Sequence, residues 1–149
     1  MRSFAACFVA IQDEFCLEES ITELHLQGVQ HVLIVSPKTY WTTQEPQAEA
    51  DFKALEGIAK STGAELVSIQ FDAKTPLEAE ALYRNYGSQL LWNYGFDHVL
   101  VVDADEFWSP EALEELDKLV GECDTAYQLP FIPTIGVPGY PVETTSMGL

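Results

Sequence analysis

Basic residues are scarce in this chain. Of its 149 residues, only 7 are Lys or Arg, against 24 Asp and Glu, which gives a formal net charge of −17 at pH 7. A surface this acidic repels DNA, RNA and anionic membranes, so we expect no nucleic-acid partner. Any ligand that carries phosphate would need a bound cation to offset the repulsion.

Cysteines and long apolar runs are also few. Cys7, Cys16 and Cys123 are odd in number and form no CxxC pair, which predicts reduced thiols and a cytoplasmic location. No apolar run reaches the roughly 20 residues that a membrane-spanning helix needs, so we predict no integral membrane segment. The opening "MRSFAACFVAIQDE" resembles a signal peptide, but polar residues stand where a small-residue cleavage site belongs, and we interpret it as a first strand.

What the chain does contain is a regular alternation of apolar segments. Hydrophobic residues make up 47% of the sequence, enough for a packed core. Thr75, Pro76 and Glu78 form a clear helix start, since Thr can cap and Pro suits the first turn. We predict strands at about 4–11, 31–36, 64–71, 97–102 and 125–132, with helices at about 17–28, 46–60, 76–95 and 109–120. This order predicts an α/β fold with a mostly parallel central sheet and helices on both faces.

The segment "HVLVVDADEFWSP" ends a predicted strand in a concentration of acids. Asp103 and Asp105 point to the same side of an extended chain, where two carboxylates repel each other unless a cation intervenes. Mg²⁺ and Mn²⁺ prefer one or two carboxylates together with water and substrate phosphates. A diphosphate bridged by such a metal would therefore suit this place. The alternative is that the acids cap the following helix or face solvent.

Three other uses of two aspartates at this spacing fit the sequence less well. A calcium loop needs a further oxygen ligand and a glycine where Phe107 and Trp108 stand. A phosphatase that forms an aspartyl phosphate would carry its pair after the first strand. A sugar nucleotidylyltransferase would have a glycine-rich loop there, and "AIQDEF" has none.

The acidic segment also carries a family resemblance. "GFDHVLVVDADEFWSPEAL" resembles the DxD segment of glycosyltransferases with the GT-A fold, especially those of family 2. "LYRNYGSQLLWNYG" is similar to the helix that precedes this motif in the family, and "VAIQDEF" to its opening strand and loop. The resemblance covers roughly residues 4–120. It implies a GT-A fold whose Rossmann-like half binds a nucleotide-sugar donor.

Roles for four residues are implied by this resemblance. Asp105 would coordinate the divalent metal, Mn²⁺ or Mg²⁺, and Asp103 would contact the donor's ribose or sugar and the metal. Glu14 would lie near the nucleoside, and Arg84 near the donor, at its diphosphate. The alternatives are a surface charge on a helix for Arg84 and an acid in the first turn of a helix for Glu14.

The sequence departs from the family pattern at two places. The segment "VSPKTYW" lacks the acid that reads the base in the family, although Tyr40 or Trp41 could stack on a base. Inverting members also use a carboxylate base far downstream of DxD, and here Glu143 is the only acid after Asp124. The catalytic base is therefore not identified, and Glu143 is its candidate.

We accordingly expect a GT-A-like domain that is truncated at its C-terminus. Residues 1–149 would form a single domain, with the nucleotide-sugar-binding half at 4–120 and part of the acceptor side at 121–149. A partner chain or an oligomer could complete it. The predicted function is a metal-dependent glycosyltransferase that moves a sugar from a nucleotide-sugar donor to an unidentified acceptor. The alternative is a non-catalytic domain that binds a nucleotide or a partner without turnover.

Overall fold

The structure, a computed structural model, describes residues 3–109 and 111–120. They divide into two compact units, one that ends at Glu106 and one that begins at Phe107. The first unit contains, in chain order, β1 (Phe4–Val9), α1 (Leu17–Leu26), β2 (His31–Ser36), α2 (Glu49–Thr62), β3 (Glu65–Ser68), α3 (Pro76–Asn93) and β4 (His98–Val101). The second unit contains α4 (Ala112–Val120).

The four strands form one parallel sheet in the order β3-β2-β1-β4. Strand β1 pairs with β2 on one side and with β4 on the other, and its residue Cys7 lies opposite Leu33 on β2 and Val101 on β4. Strand β1 is thus hydrogen-bonded on both sides, and its residues Phe4 to Cys7 are fully buried. The predicted fold class, α/β with a parallel sheet flanked by helices, is confirmed.

The face of the sheet that each helix covers depends on the direction in which the helix crosses from one strand to the next. Helices α1 and α2 connect β1 to β2 and β2 to β3, whereas α3 returns from β3 to β4 across the other two strands. Because parallel crossovers are right-handed, α3 lies on the face opposite to α1 and α2. Consistent with this, α3 contacts β1, β2 and β4, while α1 and α2 contact each other.

The face under α3 holds a hydrophobic cluster built from alternate residues of the strands. Its buried members are Ala5, Cys7, Leu33, Val35, Tyr83 and Leu91. The helix comes closest to the sheet at Gly87, where an added Cβ would overlap the sulfur of Cys7 and lie 3.0 Å from Val35 Cγ2. A glycine is therefore required for this close approach of helix to strand.

The start of α3 matches its sequence signals. Thr75 Oγ1 accepts a hydrogen bond of 3.1 Å from the backbone N–H of Glu78, and Pro76 occupies the first turn. The Glu78 carboxylate in turn accepts from the backbone N–H of Lys74 at 3.1 Å. The predicted helix start is confirmed.

Three predicted boundaries were wrong by three residues, and one of them is the start of α4, which lies at Ala112 rather than near residue 109. Strand β3 ends at Ser68 rather than near residue 71, because its partner β2 ends at Ser36 and the ladder stops with that pair. Helix α2 begins at Glu49 rather than near residue 46, because Pro46 forms an antiparallel bridge with Thr39 across a compact turn. The predicted strand at 125–132 lies outside the described residues.

None of the helices within residues 3–109 and 111–120 combines the length and the hydrophobicity that crossing a bilayer would require.

Candidate functional site at the carboxyl edge of the sheet

The predicted site residues lie where the strand order of the sheet reverses. The chain leaves β1 toward β2 on one side, whereas β4 lies on the other side of β1. The loop 10–16 after β1 and the acidic segment 102–106 after β4 therefore emerge side by side at the carboxyl edge. The backbone N–H of Val102 still donates to the carbonyl of Cys7 at 3.0 Å, which fixes where the acids begin. Parallel α/β sheets bind their ligands at such a switch point.

Arg84 connects α3 to the acidic segment. Its Nη2 atom donates to Asp103 Oδ1 at 2.7 Å, and the same nitrogen lies 2.7 Å from Glu80 Oε1, one helical turn away. The prediction placed Arg84 near the donor site, and the structure brings it into direct contact with Asp103. One guanidinium thus serves two carboxylates, and Glu80 was missed at the sequence level although it stands four residues before Arg84.

Asp105 lies near the start of α1. Its carboxylate is exposed and makes no hydrogen bond or ion pair within the part of the chain that the structure describes. Partial burial, Glu19 and Asp105 together raise the pKa of the Cys16 thiol, so the Asp105 charge is felt at the helix start. Cys16 precedes α1 in a left-handed conformation with φ 67°.

Glu106 is the member of the segment whose ionisation is most perturbed. Partial burial, the charge of Asp103 and a hydrogen bond with that side chain raise the pKa of Glu106 to about 7, and Asp105 adds to the shift. The backbone carbonyl of Glu106 accepts a 2.8 Å hydrogen bond from Ser20 Oγ on α1. Ser20 is 1% exposed, so this contact anchors the acidic segment to the buried side of α1. Nothing in the sequence pattern predicted it.

Glu14 lies on the neighbouring loop at the same edge. Burial, followed by the charge of Asp13, raises the pKa of the Glu14 carboxyl above its ordinary value. No hydrogen bond or ion pair among the described residues joins Glu14 to Asp103 or Asp105. Gln47 Nε2 holds this loop by donating to the carbonyl of Ile11 at 2.7 Å and to Ser36 Oγ at 3.0 Å.

The two aromatic residues proposed to stack on a base lie in the loop after β2. The Tyr40 hydroxyl donates to the Asp51 carboxylate and accepts from the backbone N–H of Ala48 at 2.8 Å. Tyr40 therefore closes the loop onto the start of α2. Trp41 is half-buried, and its Nε1 has no hydrogen-bond partner among the described residues. Both side chains are half-buried, so their exposure does not single out one of them for stacking on a base.

The donor set suits a hard divalent cation. Asp103 and Asp105 supply carboxylate oxygens at one edge of the sheet, and such oxygens are the ligands that a hard cation prefers. Within residues 3–109 and 111–120, no group of three or more His, Cys, Asp and Glu side chains is gathered to hold a metal. Mg²⁺ and Mn²⁺ are commonly held by one or two carboxylates with substrate phosphates, and this number of ligands is present.

Comparison of the chain with protein-family models, with curated proteins and with solved structures found no match in any of the three. Of the predicted site residues, the structure joins Arg84 to Asp103 and places Asp105 and Glu14 at the same edge of the sheet. Glu143 lies outside the described residues.

Proposed function

We propose that this chain is a metal-dependent glycosyltransferase of GT-A type that binds a nucleotide-sugar donor at the carboxyl edge between β1 and β4. The observation that carries the proposal is the ion pair between Arg84 and Asp103 at 2.7 Å, beside the exposed Asp105, at the switch point of a parallel sheet. An anion-binding side chain and two metal-binding carboxylates at one place match what a metal-bound diphosphate requires.

Each of the four candidate site residues would have the role that the family resemblance implies. Asp105 and Asp103 would hold Mn²⁺ or Mg²⁺, and Arg84 would bind the donor's phosphate oxygens as well as orienting Asp103. Glu14, on the loop after β1, would lie on the nucleoside side of the donor. A divalent metal in this place would stabilise the negative charge that develops on the leaving diphosphate.

The proposal is less specific about the acceptor and about the group that activates it. Transfer needs a group that deprotonates the acceptor hydroxyl, and Glu143 is the candidate base carried over from the sequence. The acceptor itself is not identified. A cytoplasmic location is part of the same proposal, supported by the free thiols of Cys7 and Cys16.

The proposal is tested by calorimetric titration of the chain with UDP, in the presence of Mn²⁺ and in the presence of EDTA. We expect measurable affinity with Mn²⁺ and a large loss with EDTA. Other nucleoside diphosphates are compared because the acid that reads the base in the family is missing. Equal affinity with Mn²⁺ and EDTA would remove the metal from the proposal.

Transfer is tested with a panel of nucleotide sugars, Mn²⁺ and candidate acceptors. Release of nucleoside diphosphate with formation of a glycosylated acceptor supports the enzyme. Metal-dependent nucleotide binding without transfer or donor hydrolysis would support the non-catalytic alternative. Transfer that survives Glu143→Gln would show that another group is the base.

A further inference from the structure

The Arg84 guanidinium is shared between two carboxylates, so its single positive charge does not balance their two negative charges. One nitrogen of Arg84 binds both Glu80 Oε1 and Asp103 Oδ1, each at 2.7 Å. The exposed Asp105 stands two residues after Asp103 and adds negative charge to the same segment. One cationic side chain is therefore shared by two carboxylates, and Asp103 keeps part of its attraction for other cations.

We propose that Arg84 is an exchangeable counter-ion of Asp103, so that a divalent cation and a nucleoside diphosphate bind this site cooperatively. The inference rests on the proposed function. Without ligands, Arg84 neutralises Asp103. A divalent cation that coordinates Asp103 competes with Arg84 for the same carboxylate, and a diphosphate offers Arg84 a new anionic partner. Each ligand thus removes the obstacle that the ion pair presents to the other.

The geometry allows this exchange at little cost. The side chains of Arg84 and Asp103 are 36% and 55% exposed, and ion pairs with that exposure contribute little to stability. Arg84 also stays in place when it leaves Asp103, because Glu80 holds it from the preceding turn of α3. Glu80 is therefore a positioning residue, which keeps the guanidinium at the sheet edge in both states. Coupling between two sites is typically about 5- to 150-fold in affinity.

The exchange is tested by calorimetry on the full chain with Mn²⁺ alone, UDP alone, and UDP with saturating Mn²⁺. In the wild type we expect UDP to bind at least about fivefold more tightly when Mn²⁺ is present. In Arg84→Gln, Mn²⁺ alone should bind more tightly than in the wild type, because the competing cation is gone. UDP should bind Arg84→Gln more weakly in the presence of Mn²⁺, and the coupling factor should be smaller than in the wild type, because only the direct contact between cation and diphosphate then remains. A merely structural role for Arg84 would weaken both ligands together.

Two further variants sharpen the test. Glu80→Gln leaves Arg84 to Asp103 alone, so Mn²⁺ alone should bind more weakly. Glu49→Gln removes a comparable pair with Lys53 on α2, at 3.0 Å, and should change neither affinity. If the wild type binds neither Mn²⁺ nor UDP, the proposed function is wrong and the exchange falls with it. If the wild type binds both, but Arg84→Gln binds Mn²⁺ no more tightly or keeps the full coupling, the exchange alone is wrong.

Discussion

Ser20 and Glu106 are 86 residues apart in sequence and are joined by a 2.8 Å hydrogen bond from the Ser20 hydroxyl to the Glu106 carbonyl. The contact attaches the backbone of the acidic segment to the first turns of α1. Ser20 is almost completely buried. The position of the carboxylates therefore depends on the packing of α1, although this helix lies near the start of the unit and the carboxylates lie at its end.

Replacing Ser20 with Ala should loosen the acidic segment. The Glu106 carbonyl would lose its partner, and we expect the free energy of unfolding to fall by about 1 kcal/mol, the usual value for such a hydrogen bond. Metal-dependent UDP binding should weaken as well. Urea denaturation and calorimetry measure the two effects. Thr22→Ala is the control, since the Thr22 hydroxyl donates to the Glu18 carbonyl on the exposed side of the same helix. Equal effects of the two variants would contradict the anchoring role.

Asp105→Asn should remove metal-dependent UDP binding and leave the fold intact. Asp105 is exposed and forms no ion pair among the described residues, so the change relieves repulsion rather than breaking a contact. We expect UDP affinity with Mn²⁺ to fall at least about tenfold, or about 1.4 kcal/mol. The exposed Asp72, on the loop after β3, supplies the control Asp72→Asn. If circular dichroism showed Asp105→Asn to be unfolded, the carboxylate would have a structural role instead.

The close approach of α3 to the sheet predicts opposite effects of one substitution at two glycines. Gly87→Ala should destabilise the protein by about 1–3 kcal/mol, the usual cost of overpacking, because its methyl group would overlap Cys7. Gly57→Ala, on α2, has open space around the added carbon and should stabilise the protein by about 0.5–1 kcal/mol. Urea denaturation measures both. Equal stability of the two variants would contradict the packing described at Gly87.

The raised pKa of Glu106 predicts a pH-dependent effect of Glu106→Gln. In the unfolded chain the carboxyl ionises near its ordinary pKa of 4.5, whereas in the folded protein it ionises at about 7. Below the first value both states are protonated and Glu106 has no pH-dependent effect. As the pH rises between the two values, the unfolded state ionises more readily, so the wild type loses stability.

The Glu106→Gln variant does not lose stability in this way, because it has no carboxyl group to ionise at this position. Its free energy of unfolding, measured by urea denaturation, should therefore rise relative to that of the wild type as the pH increases from about 4.5 to about 7, and then level off. Added Mn²⁺ should reduce the difference, since a bound cation favours the ionised carboxylate in the folded state. A difference that is the same at both ends of this range would contradict the perturbed ionisation.

The local features of this protein were readable from the sequence. Apolar runs such as the one at 31–36 predicted the strands, because a strand buried on both faces needs apolar residues throughout. The capping residues Thr75 and Glu78 predicted the start of α3, since a cap depends on neighbouring residues only. Asp103 and Asp105 were placed at a strand end because they directly follow the strand predicted at 97–102. The boundaries of β3 and α2 were wrong because each depends on a partner segment that the local pattern does not specify.

The tertiary structure alone decided how these local features combine. The order β3-β2-β1-β4 depends on the direction in which α3 crosses the sheet, and that order brings the loop after β1 next to the acids after β4. The contacts of Arg84 with Asp103, Ser20 with Glu106 and Gly87 with Cys7 all join residues far apart in the chain. Residue periodicity determines which side of an element is buried, but the element that covers that side is selected by packing over the whole unit, and the candidate site is built at those contacts.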